Sequence, residues 1–276
     1  MKIAITGGKG GTGKSTVATS LSYELSKRSE VLLVDADVDC PNDHLLLSID
    51  RKEVKKVENM VPEIDEDKCI RCGKCAEVCK ENAIIQVRDK YPILMENQCT
   101  GCKACEVVCP TGAISESHQV IGKIMKGSVD ELDLVSGEMK PGIEESSLVV
   151  NGLKDYVKSV EEDYDHIVID TAAGTHCPVI AALTGVDIAF SVTEPTPLGE
   201  HDLKLILELL DKLNINSKVI INRSDITNKS DIPGISDDFG SEIVSEIPYS
   251  KEIEKSYSRG NPITHKSIER IAGEIR

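Results

Sequence analysis

The sequence predicts an α/β protein, a mostly parallel sheet flanked by helices, with a small α+β domain inserted into it. Three observations carry that expectation. Short apolar runs alternate with helix-like stretches, and a glycine-rich loop joins the first run to the first helix. Two evenly spaced runs holding eight cysteines then interrupt the alternation between residues 61 and 117.

Lys2 to Thr6 reads as a strand, residues 7 to 13 as a Gly-rich loop, and Lys14 to about Arg28 as a helix. Val31 to Val34 is an apolar run that ends in Asp35, Asp37 and Asp39, the pattern of a buried strand whose carboxyl end carries function. Further strands are expected at His166–Asp170, Asp187–Val192, Lys218–Asn222 and Glu242–Ile247. Among the helices, Glu200 to Leu213 places Leu203, Ile206, Leu207 and Leu210 on one face. Strands alternating with helices imply parallel pairing with right-handed crossovers. Val120 to Ile143 reads as irregular or hairpin-forming chain without a functional assignment.

The cysteine segment is an internal repeat of period 30. Cys69-x2-Cys72-x2-Cys75-x3-Cys79 aligns with Cys99-x2-Cys102-x2-Cys105-x3-Cys109, and Pro62, Glu66, Ala83 and Ile84 recur as Pro92, Glu96, Ala113 and Ile114. The expected domains are therefore residues 1–60 with 118–276, and an insert at 61–117.

A length of 276 residues, against about 150 per domain, allows one large domain or a medium one plus a small one. With 3% aromatic residues and no Trp, the core must be built from Ile, Leu, Val and Ala, which suits a buried parallel sheet. The formal charge of -15 argues against a nucleic-acid surface or an anionic-membrane patch. Eight of the ten cysteines fall in ligand spacing rather than a disulfide pattern. No signal peptide is expected before Ile3, and no apolar run approaches the roughly 18 residues of a membrane span, so a reducing cytoplasm is the expected setting.

Gly8-Lys9-Gly10-Gly11-Thr12-Gly13-Lys14-Ser15 satisfies G-x-x-x-x-G-K-[ST] between a strand and a helix, and Thr16 follows. In such a loop backbone N–H groups converge on phosphate oxygens and the helix N-terminus adds its positive end. Lys14 would reach the β- and γ-phosphates, and Ser15 would offer a hydroxyl to Mg²⁺. With the additional Lys9, the chain resembles the MinD, ParA and nitrogenase-iron-protein group of P-loop ATPases. The resemblance implies a P-loop NTPase fold, ATP hydrolysis, and a homodimer with nucleotide at its interface, where Lys9 reaches the partner's nucleotide. It also implies that Asp35-Ala36-Asp37 is a first switch, with Asp37 orienting the attacking water and facing Mg²⁺, and Asp39 next to it. Asp170-Thr-Ala-Ala-Gly174 resembles the second switch, whose carboxylate contacts Mg²⁺ through water and whose glycine amide senses the γ-phosphate; the alternative for Asp170 is a helix cap. Asn222-Arg223 and Pro248-Tyr249 resemble the adenine-contacting segments, or else are turn chemistry.

The cysteine spacing resembles that of bacterial-type ferredoxins with two [4Fe-4S] clusters. In that pattern the fourth cysteine of each run serves the other cluster, which assigns Cys69, Cys72, Cys75 and Cys109 to one and Cys99, Cys102, Cys105 and Cys79 to the second. Zinc is the alternative, although zinc ribbons favour paired C-x2-C knuckles. Cys40 and Cys177 follow the two switches. They are either small semi-buried residues or an additional metal or cluster site at a dimer interface.

Three functional readings follow. The first is an ATPase that couples nucleotide-driven dimer changes to electron transfer to an unidentified redox partner. The second is an ATP-dependent iron-sulfur cluster carrier or metalloenzyme maturation factor acting on an apo-protein client. The third is a MinD- or ParA-like positioning ATPase. It ranks last because residues 267–276 form a short stretch of mixed charge broken by Gly273, not a basic amphipathic helix.

Overall fold

The computed structural model describes residues 1–227 and 229–275. Arg276, the last residue of the C-terminal stretch just discussed, lies outside them. The chain begins with β1 (Lys2–Thr6), α1 (Lys14–Ser26), β2 (Val31–Asp35), a short α2 (Asp43–Leu46) and β3 (Lys52–Ile64). The cysteine segment adds α3 (Lys74–Val78), β4 (Ile84–Ile85), β5 (Ile93–Leu94) and α4 (Ala104–Val107). It returns through β6 (Ile114–Val129) and β7 (Leu132–Met139) to α5 (Ser146–Lys158), β8 (His166–Asp170) and α6 (Cys177–Leu183). The remainder is β9 (Ile188–Thr193), α7 (Pro197–Lys212), β10 (Asn216–Asn222), α8 (Ile232–Asp238), β11 (Glu242–Ile247), α9 (Lys251–Tyr257) and α10 (Lys266–Glu274).

Nine strands form one sheet in the order β11-β10-β9-β1-β8-β2-β7-β6-β3. Pairing is parallel from β11 through β7 and antiparallel at β7–β6 and β6–β3. The parallel strands are apolar without alternation because helices cover both faces; every residue of β2 and β8 is buried. On one face α1 and α10 bring Leu21, Leu25 and Ile271 onto Ile3, Ile5 and Leu33. On the other, Val149, Val150 and Leu153 of α5 pack on Leu32 and Val34, while Leu203, Ile206 and Leu210 of α7 pack on Ala189 and Val219. The expected strands and the Glu200–Leu213 helix face are thus where periodicity puts them.

Residues 52–64, which carry no strand expectation above, form a 13-residue edge strand. Its outer part, Lys52-Glu-Val-Lys-Lys56, is exposed, and such charges keep an open edge from pairing with other chains. β3 pairs with β6 from Lys52↔Lys126 to Ile64↔Ile114, whereas β7 reaches only from Gly122 to Val129 of β6. Beyond Gly122 the two strands continue as a two-stranded ribbon, and the cysteine segment sits at its end. The expected boundaries at 60/61 and 117/118 fall inside these two strands. Val120 to Ile143 contains the β6–β7 hairpin, which the expectation of hairpin-forming chain allowed, and through β7 it adds a strand to the main sheet.

At the ribbon's end Ile64, Ile84, Leu94 and Ile114 pack with Cys75 and Cys105 into a small separate core. The 30-residue repeat is repeated in the backbone as well. Left-handed φ values recur at Arg71 and Gly101 (56° and 73°), at Gly73 and Lys103 (80° and 62°), and at Asn82 and Gly112 (54° and 64°). Arg71, Lys103 and Asn82, all exposed, adopt this conformation without being glycine, at a local cost that is smallest for Asn82.

Candidate nucleotide site and cysteine cavities

Because β1, β2, β8, β10 and β11 run in one direction, the loops at their carboxyl ends meet at one edge of the sheet. They enclose a cleft of about 660 Å³. Its lining includes Gly10, Gly11, Gly13, Lys14, Ser15 and Thr16 from the first loop and Asp37 and Asn42 from the second. Thr171 and Ala173 follow β8, Asn222 and Arg223 end β10, and Pro248 and Tyr249 follow β11. The loop, both switch segments and both expected base-contacting segments therefore share one cavity.

Several expected residues stand behind its wall. A side chain on Gly8 would come within 2.3 Å of the Asp202 carbonyl oxygen, so this glycine allows α7 to approach the loop closely. The Gly174 amide donates to the Gly7 carbonyl at 3.2 Å, tying the second switch to the start of the loop. Thr12 is buried, and its carbonyl accepts from Asn222 Nδ2 at 2.8 Å. Lys9 is half-buried, and its carbonyl accepts from Lys14 Nζ at 2.9 Å. Burial lowers the pKa of Lys14, while the carboxylates of Asp170 and Asp37 oppose that shift. Arg223, at a φ of 51°, pairs with the buried Glu194, which holds its guanidinium beside the cleft.

Gly13 caps α1 at a φ of 97°, and a Cβ there would lie 2.3 Å from Asn222 Nδ2. Gly13→Ala combines left-handed strain with displacement of the Asn222 amide that braces the loop. It is expected to weaken ADP binding about tenfold or more, roughly 1.4 kcal/mol, in isothermal titration.

Two further carboxylates matter: Asp35, which the sequence places in the first switch without a role of its own, and Asp43, which it does not single out. Asp35 is buried and fastens the first switch: its Oδ1 accepts from Asp37 N at 3.2 Å, and its Oδ2 from Asn42 N at 2.9 Å and Asp43 N at 3.1 Å. Asp43, the first residue of α2, is 0% exposed and belongs to the same buried group as Asp35 and Asp170. Burial, opposed in part by these backbone donors, pushes Asp35 up to about 7; burial and the Asp35 charge push Asp170 up to about 8. Asp43 is raised well above its ordinary value by burial and then by Asp35 and Asp170. Asp39 is exposed, leaving Asp37, half-buried in the cleft, as the better placed of the two candidates. Asp43 offered a sequence signal only as an acidic residue in a helix's first turn, which usually means a favourable dipole contact. Ser250 was also passed over, although it is a readable cap: its hydroxyl accepts from Glu252 N and Ile253 N, and it lines the cleft.

The cysteines surround two further small cavities. One is lined by Cys69, Cys72, Cys75 and Cys109; the other by Cys99, Cys102, Cys105 and Cys79. Each run thus contributes three sulfurs to its own cavity and one to its neighbour's. Among the described residues no three sulfurs lie within 4.8 Å of one another. A tetrahedral zinc with 2.3 Å bonds holds four sulfurs about 3.8 Å apart. Burial raises the pKa of Cys75, Cys99 and Cys105. For Cys109 burial is outweighed by donors that favour the thiolate, among them Ala113 N at 3.3 Å from its sulfur. Asn59 of β3 anchors the second cysteine loop by donating to the Cys99 carbonyl at 2.7 Å. Cys40 and Cys177 are both exposed.

A phosphate loop at the head of a parallel sheet, facing two acidic switch segments, defines a P-loop nucleotide hydrolase. The description "CobQ/CobB/MinD/ParA nucleotide binding domain" matches residues 3–263, and the chain belongs to that family of ATP-hydrolysing enzymes. An uncharacterized protein of Methanocaldococcus jannaschii is 37% identical over 94% of this chain and 90% of its own length. The solved structure of the septum site-determining protein MinD from Pyrococcus horikoshii, complexed with Mg-ADP, superposes with a TM-score of 0.64 at 19% identity. It covers 99% of this chain and 95% of that one, a likeness of fold. An iron-sulfur cluster carrier protein of Pyrococcus horikoshii is 46% identical over 54 residues, 19% of this chain and 18% of its own. Among the described residues no helix is long and apolar enough to cross a membrane.

Proposed function

We propose that this ATPase couples nucleotide-driven changes in a homodimer to electron transfer to a partner protein, through two [4Fe-4S] clusters held by an inserted ferredoxin-like domain at residues 61–117. The crossed sharing of cysteines between two cavities carries this reading: Cys109 joins the first run and Cys79 the second. Four sulfurs around each cavity give complete ligation, which suits resident clusters. Such clusters take up and release single electrons, here between a low-potential donor and the partner protein.

On the nucleotide side, the backbone N–H groups of Gly10 to Gly13 hold the phosphates and Lys14 leaves the Lys9 carbonyl for the β- and γ-oxygens. Ser15 and Asp170 position Mg²⁺, and the unpartnered Oδ1 of buried Asp170 suits that role. Asp37 orients the water whose oxygen attacks the γ-phosphorus as the bond to ADP breaks. Lys9 reaches the nucleotide of the second protomer, and Asn222, Arg223, Pro248 and Tyr249 flank the base.

A physical link between the two halves supports coupling. Met139 N, at the end of β7, donates to the carbonyl of Val38 in the first switch at 2.9 Å. β7 pairs with β6, and β6 runs on into the ribbon that bears the cysteines. A shift of the Asp37 loop is thereby transmitted to the arm.

The test is anaerobic purification with iron and sulfide counting, then spectroscopic reduction with ADP, with ATP and without nucleotide. Reversible reduction whose extent changes with nucleotide is the expected result. Clusters indifferent to nucleotide that pass to an apo-protein would overturn it in favour of a cluster carrier. The 54-residue likeness to an iron-sulfur cluster carrier and the exposure of Cys40 and Cys177 favour that second reading.

A further inference from the structure

The buried carboxylate group beside the phosphate loop contains more acid than the phosphoryl-transfer roles above use. Asp35, Asp43 and Asp170 each present an oxygen, all within 4.8 Å of one another, and their residues are 1%, 0% and 1% exposed. Asp35 is satisfied by three backbone N–H groups. Asp43 is not: neither Oδ1 nor Oδ2 has a hydrogen-bond partner, and Asp170 Oδ1 is likewise unpartnered. Buried polar atoms are nearly always paired, and two unpartnered oxygens on a fully buried Asp43, beside two further carboxylates, call for a positive group on this side of the cluster. Lys14 is close enough to Asp170 to favour its charged form, but among the groups that act on Asp43 none is basic.

We infer that Asp35, Asp43 and Asp170 form a buried site for a hard divalent cation, which binds without nucleotide. An all-oxygen, all-carboxylate donor set selects Mg²⁺, Mn²⁺ or Ca²⁺ over thiophilic metals. The 4.8 Å bound on the separations is compatible with direct coordination. In an octahedron with 2.1 Å bonds, ligand oxygens lie about 3.0 Å apart when adjacent and about 4.2 Å when opposite. The observed group lies within the slightly larger radius expected before an ion draws it together. The cation that accompanies a nucleotide is held largely by phosphate oxygens and the Ser15 hydroxyl, and therefore arrives with the nucleotide. This one is held by protein alone, with Asp43 as the distinguishing ligand. Because Asp35 also accepts from Asp37 N and Asn42 N, an ion on this site would stiffen the first switch before ATP binds. The inference goes beyond the redox reading and does not depend on it.

The test uses the full chain, stripped of divalent metal by a chelator and free of nucleotide, titrated with Mn²⁺ while free Mn²⁺ is followed by electron paramagnetic resonance. One Mn²⁺ is expected per chain, displaceable by Mg²⁺, and Asp43→Asn should weaken it at least about tenfold with the circular dichroism spectrum unchanged. If the asparagine variant fails to fold, Asp43→Leu, which fills the space without buried polar atoms, serves instead. Absence of Mn²⁺ binding without nucleotide, or binding unchanged in these variants, overturns the site. Mn²⁺ binding that appears only with ADP also overturns it, while leaving the nucleotide site and its ATPase chemistry standing.

Discussion

Lys14→Ala is expected to lower the rate of ATP hydrolysis by at least about 100-fold, close to 2.7 kcal/mol of transition-state stabilisation, with little loss of fold stability. Lys14 is 7% exposed, its one hydrogen bond runs to the neighbouring Lys9 carbonyl, and burial disfavours its charged form. Burial outweighs the compensation from Asp170 and Asp37, so this ammonium contributes little to stability. Its charge is useful when phosphate oxygens enter the cleft and negative charge builds on the γ-phosphoryl group. Phosphate release under saturating ATP measures the rate, and a thermal melt of the nucleotide-free chain measures the fold. A variant that melts far below the wild type, or that hydrolyses ATP at a similar rate, contradicts this account of the loop.

The cysteine variants should sort by cavity and not by position along the chain. Cys72→Ser and Cys109→Ser are each expected to remove the same half of the iron, from about eight atoms per chain to about four. Cys102→Ser and Cys79→Ser should remove the other half. The decisive observation is the electron paramagnetic resonance signal that survives in the reduced protein: Cys109→Ser should leave the spectrum left by Cys72→Ser. If it leaves the spectrum of Cys102→Ser, each run serves its own cluster and the crossed sharing fails. Cys72 and Cys102 are exposed, which makes them better probes than Cys75 and Cys105, whose side chains also belong to the small core at the ribbon's end.

Local chemistry was legible in the chain. A phosphate loop needs its glycines and Lys14 within a few residues, and three sulfurs on one cluster need near neighbours, so both motifs appear as short spacings. The apolar runs of β1, β2, β8 and β9 were legible because two-sided burial removes polar alternation. The strand at 52–64 was not. An edge strand lies open to solvent, so Lys52 to Lys56 has the composition of a loop, and only pairing with β6 makes it a strand. Asp43 was hidden for a similar reason. In sequence it is a helix's first residue, and only the approach of β8 to β2, with Asp35 opposite Asp170, gives it two carboxylate neighbours.

By itself the sequence determined that this protein has a P-loop, a largely parallel sheet to carry it, and a duplicated cysteine segment. Each of these is written in residues close together in the chain. The tertiary structure alone decided which distant residues meet. It places Asn222 against Thr12, Val38 against Met139, and Asp43 beside two switch carboxylates. These meetings depend on strand order and on how far the arm extends beyond β7, and both are set by the packing of whole elements, which no local spacing records.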